Sequence, residues 1–157
     1  MILTRRTILM LGLMAPLAAC GHKRSDAPTA ASSANLFPGE TPEMRALIRK
    51  YADIHDIPES LLHRIIQRES DYNPRARNGP YYGLMQILPQ TAGTMGYTGA
   101  PDGLLDAETN LKYAGRYLRG AWLVSGGDED AAVGWYARGY YYEAKRLGLL
   151  EETGLRG

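Results

Sequence analysis

Apolar side chains recur at three- and four-residue intervals through much of the chain, and each such stripe predicts a helix with one buried face. Met44, Leu47, Ile48 and Tyr51 form the first stripe, and Thr41-Pro42 ahead of it reads as an N-cap followed by proline at the first helical position. Leu61, Leu62, Ile65 and Ile66 form a second stripe, opening at Pro58. Pro89 opens a short helix through Met95, and Asp106 caps a long one that turns Leu111, Ala114, Tyr117, Leu118, Ala121 and Trp122 inward. After Ser125-Gly126-Gly127 one further helix is expected from about Asp130, through Val133, Trp135 and Tyr136, to Leu147. Between Asn73 and Gly83 the periodicity breaks, and Pro, Gly, Asn and paired tyrosines predict a loop or short hairpin. Strand signals are weak elsewhere. The expected fold is mainly α, with one core in a domain spanning residues 42–157.

The N-terminus follows a different pattern. Arg5-Arg6 precede an uncharged, mostly apolar run from Thr7 to Ala19, too short for a comfortable membrane-spanning helix. It reads as an export signal. Leu17-Ala18-Ala19-Cys20 resembles the lipobox of bacterial lipoproteins, which implies a signal peptide over residues 1–19 and lipidation of Cys20 as the mature N-terminus. Thr4-Arg5-Arg6 weakly resembles a twin-arginine export motif. Cys20 is the only cysteine, so no disulfide forms within the chain. From Lys23 to about Thr41, Ala, Ser, Pro and Thr dominate without apolar periodicity, predicting a flexible tether over residues 20–41.

Charge narrows the range of partners. The full chain carries 18 basic and 17 acidic residues, and cleavage after residue 19 removes only Arg5 and Arg6, leaving a formal charge of −1. That balance argues against a nucleic-acid partner and against a polybasic membrane patch. Membrane attachment would come from the acyl chains of a lipid anchor.

One acid stands out within the domain. Glu69 falls at i+7 from Leu62, on the same stripe as Ile65 and Ile66, and Asn73-Pro74 places it at the end of its helix. Desolvation and the negative end of the helix dipole both favour the protonated carboxyl and raise its pKa. Such a glutamate suits general acid catalysis near neutral pH. The plainer alternative is an acid that snorkels to solvent from a helix end.

The blocks that follow favour chemistry. Glu69-Ser70, Gly83-Leu84-Met85-Gln86-Ile87, Ala107-Glu108-Thr109-Asn110 and Trp135-Tyr136-Ala137-Arg138-Gly139, in that order and spacing, resemble the soluble lytic transglycosylase (SLT) domain of bacterial cell-wall enzymes, whose fold is similar to lysozyme. The likeness runs from about Pro42 to Lys145. It implies a lysozyme-like helical domain with its loop or hairpin beside an active-site cleft. Glu69 then matches the family's catalytic acid/base. Ser70, Gly83, Leu84, Met85, Gln86, Asn110 and Tyr136 match its substrate-binding positions. One position departs from the pattern, because the family usually has asparagine after that tyrosine and here Ala137 stands there, with Arg138 next to it as a candidate substitute.

The resemblance implies a peptidoglycan lytic transglycosylase that cleaves the β-1,4 bond between N-acetylmuramic acid and N-acetylglucosamine non-hydrolytically, leaving a 1,6-anhydromuramoyl end. A hydrolytic muramidase on the same fold and a catalytically silent glycan-binding or scaffold lipoprotein are the alternatives. Asp71 lies two residues from Glu69 and reads as a turn residue rather than a second catalytic carboxylate. The eleven tyrosines, Tyr81-Tyr82 and Tyr140-Tyr141-Tyr142 among them, suit stacking on sugar rings, whereas Tyr113 and Tyr117 read as core. His55 and His63 lack partners at ligand spacing, so no metal and no cofactor is expected. The expected partners are glycan strands, a membrane reached through the anchor and a cell-envelope machine, with the protein itself a monomer. Gly21 after the cysteine points to the periplasmic face of a Gram-negative outer membrane.

Overall fold

The computed structural model describes residues 35–155. The expected signal peptide, the expected lipidation site Cys20 and most of the expected tether lie outside the described residues.

Helix α1 spans Pro42–His55, and its Thr41 cap accepts a hydrogen bond from the Met44 amide as the sequence predicts. It buries Met44, Ile48, Tyr51 and Ala52. Helix α2, Glu59–Glu69, buries Leu61, Leu62, His63, Ile65 and Ile66. A two-residue hairpin follows, with strand β1 (Arg77–Asn78) antiparallel to β2 (Tyr81–Tyr82) across a Gly79-Pro80 turn. Helix α3 covers Pro89–Thr94, and a 3-10 turn covers Pro101–Leu105. The long helix α4, Ala107–Val124, is capped by Asp106, whose carboxylate accepts from the Thr109 amide at 2.8 Å. The fold is mainly α.

Helix α4 is the central element. It packs against α1 and α5 (Glu129–Arg138), and also against α3, α6 (Tyr141–Leu147) and the 3-10 turn. Leu111, Ala114, Leu118 and Ala121 are fully buried there, facing Ile48 and the α2 stripe in one continuous core. Each fully buried leucine or isoleucine contributes roughly 1.5–3 kcal/mol relative to exposure. Tyr113, Tyr117 and Trp122 pack against the rim of that core rather than inside it.

Two expectations change. The helix predicted from Asp130 to Leu147 is two helices, because Gly139 adopts φ 84°, ψ 150°, a conformation that only glycine takes easily. The break lets Tyr140 turn fully inward and donate its hydroxyl to the Tyr117 carbonyl at 2.8 Å.

The second change concerns residues 35–40, which composition assigns to the tether and which here fold against α1 and α2. Glu40 has no exposed side-chain surface and receives both Arg45 guanidinium donors at 2.5 Å. Its other partner is the Phe37 amide at 2.9 Å. Phe37 in turn packs on the rings of His63 and Tyr72. No helix among the described residues is long and apolar enough to cross a membrane.

Candidate active site

Glu69 is the last residue of α2. The amides of Ser70 and Asp71 both return to the Ile66 carbonyl at 3.0 Å, and Asp71 (φ 52°) and Tyr72 (φ 63°) then take left-handed conformations that end the helix abruptly. Tyr72 anchors this turn. It is buried, and its hydroxyl lies 2.7 Å from His63 Nδ1. Asp71 itself is exposed, as expected of a turn residue.

The turn leaves Glu69 on the wall of a cleft of about 300 Å3, lined also by Arg68, Asn78, Tyr81, Gln86, Tyr136 and Ala137. Its side chain keeps 24% of its surface exposed. Burial pushes the Glu69 carboxyl above the usual range, and the Arg68 guanidinium, with Nε 3.5 Å from Oε1, pulls partly in the opposite direction. The helix-end position adds the dipole's preference for the neutral acid. Glu69 is the only carboxylate lining the cleft among the described residues.

The Gly83–Gln86 segment, bonded to the residue next to Glu69, is held from three sides. Ser70 donates its hydroxyl to the Leu84 carbonyl at 2.7 Å. Asn110 accepts from the Met85 amide and donates to the Tyr82 and Leu104 carbonyls, each at 2.9 Å. Tyr136 donates to the Met85 carbonyl at 2.8 Å. Gly83 has to be glycine here, since its φ is +75° and a Cβ would stand 2.2 Å from the Leu104 carbonyl oxygen. The four sequence blocks therefore meet around a single loop.

Their members divide into two groups. Glu69, Gln86 and Tyr136 reach the cleft. Leu84, Met85 and Asn110 have no exposed surface, so in this conformation they form the cleft's floor and brace, and direct sugar contact is closed to them. Ser70 is engaged in the same brace. Gln86 has a left-handed backbone (φ 48°) and donates from Nε2 to the Gly83 and Ala76 carbonyls at 2.8 and 3.1 Å. Those bonds fix its amide orientation and leave Oε1 buried without a partner. Tyr136 is buried, and its phenol pKa lies well above the ordinary value, first through burial and then through the Glu69 charge.

Ala137 faces the cleft at the family's asparagine position, but Arg138 does not replace that side chain. Its guanidinium lies over the Trp135 ring instead, 3.8 Å from the centroid. Sequence reasoning did not single out Arg68 or Asn78. Asn78 had a weak signal in its Asn-Gly-Pro turn, but only the hairpin's register shows that this turn borders Glu69. His55 and His63 serve the fold, with His55 Nε2 3.0 Å from the Leu111 carbonyl oxygen and His63 Nε2 3.3 Å from Glu59.

Comparison with known proteins identifies the family. Residues 46–148 match the family model described as the transglycosylase SLT domain. The soluble lytic murein transglycosylase of Escherichia coli (strain K12) is 36% identical over 46% of this chain and 12% of its own length. Membrane-bound lytic murein transglycosylase C of Serratia proteamaculans (strain 568) is 36% identical over 46% of this chain and 22% of its own length. The protein of the same name from Haemophilus influenzae (strain 86-028NP) is 50% identical over 30% of this chain and 13% of its length. The chain thus spans less than a quarter of the length of these curated relatives. No solved structure matches it significantly. The family match begins inside α1 and runs past the end of α6, taking in every element that builds the cleft, and the chain accordingly belongs to the transglycosylase SLT domain family.

Proposed function

We propose that this chain is a peptidoglycan lytic transglycosylase in which Glu69 serves alone as acid and then as base. The observation that carries this reading is that Glu69 is the single carboxylate lining the cleft among the described residues. Most glycosidases flank the scissile bond with two carboxylates, and one suffices where the substrate supplies its own nucleophile. N-acetylmuramic acid does so through its N-acetyl group. The acetamido oxygen attacks the anomeric carbon while Glu69 passes its proton to the departing glycosidic oxygen. Glu69, now a carboxylate, takes the proton of the sugar's C6 hydroxyl as that oxygen closes on the anomeric carbon and displaces the acetamido oxygen. The product ends in a 1,6-anhydromuramoyl unit, Glu69 regains its proton and no water enters.

Burial of Glu69 supports the first half of this cycle, because the acid must hold a proton near neutral pH. Arg68 supports the second half by favouring the carboxylate once the proton has gone. Gln86 and Tyr136 line the cleft beside the acid, and Tyr81 and Asn78 border it from the hairpin as sugar contacts. Ser70 and Asn110 act through the loop they hold. In the same reading Cys20 is lipidated, the protein works in the periplasm attached to the outer membrane, and no cofactor is required.

Digestion of purified peptidoglycan followed by mass spectrometry tests the reaction. Anhydro fragments, one water lighter than reducing ones, are expected. Reducing ends would replace this reading with a hydrolytic muramidase, and no release at all would favour a silent glycan-binding protein. Glu69→Gln should abolish release with the fold intact, and an active Glu69→Gln enzyme would remove the residue from the mechanism. Labelling with a fatty-acid analogue, compared with Cys20→Ser, tests the anchor.

A further inference from the structure

Helix α5 borders a second depression. Trp135 and Arg138, one turn apart on α5, face Tyr141, Tyr142, Glu143 and Arg146 of α6 around a groove of about 450 Å3. Tyr136 and Ala137, the two residues between them, line the Glu69 cleft. The groove and the site of chemistry thus lie on opposite faces of the same helical turn, one helix width apart.

The two arginines of the groove differ in their commitments. Arg146 is satisfied by Glu143, whose two carboxylate oxygens accept from it at 2.6 and 2.8 Å. Arg138 has no carboxylate partner among the described residues, and its guanidinium lies on the Trp135 ring. Gly134 makes room for this arrangement, because a Cβ there would stand 2.6 Å from Arg138 Nη1. A guanidinium stacked on an indole is fixed in plane and keeps its edge donors free, the geometry that receives a carboxylate in two parallel hydrogen bonds. Beside it Tyr141 is 47% and Tyr142 84% exposed, with their rings edge to face at 5.4 Å. Rings so exposed offer stacking surface to a ligand with apolar and polar parts.

Charge therefore calls for an anion. A position one helix width, about 10 Å, from the cleft is within reach of an extended chain of a few residues carried by the molecule that enters the cleft. We propose that this groove receives a carboxylate of the peptide stem of peptidoglycan, with Arg138 as its ligand and Tyr141 and Tyr142 as walls. The proposal rests on the reading of the substrate as peptidoglycan. The groove holds the strand while Glu69 acts, so it governs affinity for stem-bearing glycan and leaves the chemical step unchanged.

The test compares glycan strands that carry stems with strands stripped of them by an amidase, using the full chain. Arg138→Gln should raise KM for stem-bearing strands roughly fivefold at unchanged kcat and leave stripped strands unaffected. Gly134→Ala, which crowds the guanidinium without removing it, should reproduce the KM effect while its melting temperature does not fall. Titrating a soluble stem-bearing muropeptide into Glu69→Gln, with and without Arg138→Gln, reads binding without turnover and should show the same loss of affinity. Equal effects on both kinds of strand, a change confined to kcat, or muropeptide binding indifferent to Arg138 would overturn the proposal. So would Arg138-dependent binding to vesicles of phosphatidylglycerol in place of the muropeptide. The two readings fail separately. A wild-type protein that releases no fragments defeats the transglycosylase reading, while the titration still decides whether the groove takes the stem.

Discussion

Replacing Asn110 with alanine separates bracing from substrate contact more cleanly than any other change near the cleft. Asn110 is fully buried and makes three hydrogen bonds, each 2.9 Å long. Alanine leaves the Met85 amide and the Leu104 carbonyl without these partners, whereas the Tyr82 carbonyl keeps a second bond from the Ile87 amide. Two orphaned groups at about 1–3 kcal/mol each, plus the smaller loss at Tyr82, give a destabilisation of about 3–6 kcal/mol. In a domain of this size that lowers the melting temperature by roughly 10–20 °C. Asn110→Asp adds a pH dependence. The carboxylate would put an acceptor opposite two carbonyls, so burial and those carbonyls raise its folded pKa above the unfolded value of about 3.9. The neutral acid fits better than the ion, so stability is retained at acid pH and lost as pH rises through the folded pKa. Thermal unfolding by circular dichroism at pH 4 and pH 7 reads both effects. An Asn110→Ala variant that melts within about 2 °C of wild type while its affinity for glycan falls would refute the bracing role and restore Asn110 as a substrate contact.

Three further outcomes follow from the same geometry. Gly83→Ala should cost about 2–4 kcal/mol, because φ is positive and the new Cβ meets the Leu104 backbone oxygen, and chemical denaturation should show it as a lower midpoint at unchanged slope. Glu69→Gln should be more stable than wild type at pH 7. Burial raises the folded pKa of Glu69, so the wild type loses stability as pH rises from the unfolded value through the folded one, and the difference in melting temperature between the two should close below about pH 4. Glu40→Ala should cost about 2–4 kcal/mol by leaving Arg45 without its buried partner. Burial acts to raise the Glu40 carboxyl, but the hydrogen bonds from Arg45 and the Phe37 amide, with the nearby charges, outweigh it and hold the pKa below the ordinary value. Its contribution should therefore fade only as pH falls through that lowered pKa, which melting curves between pH 2 and 7 would follow.

Helix starts were legible because each is announced by local chemistry. The Thr41 and Asp106 side chains accept from amides three residues ahead, and Pro42 and Pro89 sit at first-turn positions, so no tertiary contact was needed to find them. The break at Gly139 was harder to see, because the apolar spacing continues across it. Only the destination of Tyr140, a hydroxyl bond to α4 from a fully buried ring, shows why the helix has to stop and restart. Residues 35–40 misled for a related reason. Their composition is that of a tether, and what orders them is a buried ion pair and one phenylalanine, features with no periodic signature. Sequence blocks likewise identify which residues belong to the site without saying which of them face solvent.

That last distinction has a physical consequence for the site. In the proposed mechanism a single acid protonates one oxygen and then deprotonates another, so it has to keep its place relative to the sugar through both steps, and misplacement by about 1 Å is costly in rate. Glu69 ends a helix, where backbone order usually loosens. The residues that resist loosening are those bonded to the loop rather than free to meet a sugar, Asn110 with no exposed surface and Ser70 and Tyr136 with little. Ser70, next to the acid, is bonded to Leu84, while Tyr136 and Asn110 grip Met85 from α5 and α4, so the acid's turn and these two helices are joined through one loop. Each of these bonds joins protein to protein, so removing one is expected to act on the cleft's shape rather than on a sugar contact. In this chain the motif residues chiefly brace the cleft, and Glu69, Gln86 and Tyr136 are the members that line it. Ala137 then removes a wall contact and leaves the brace untouched.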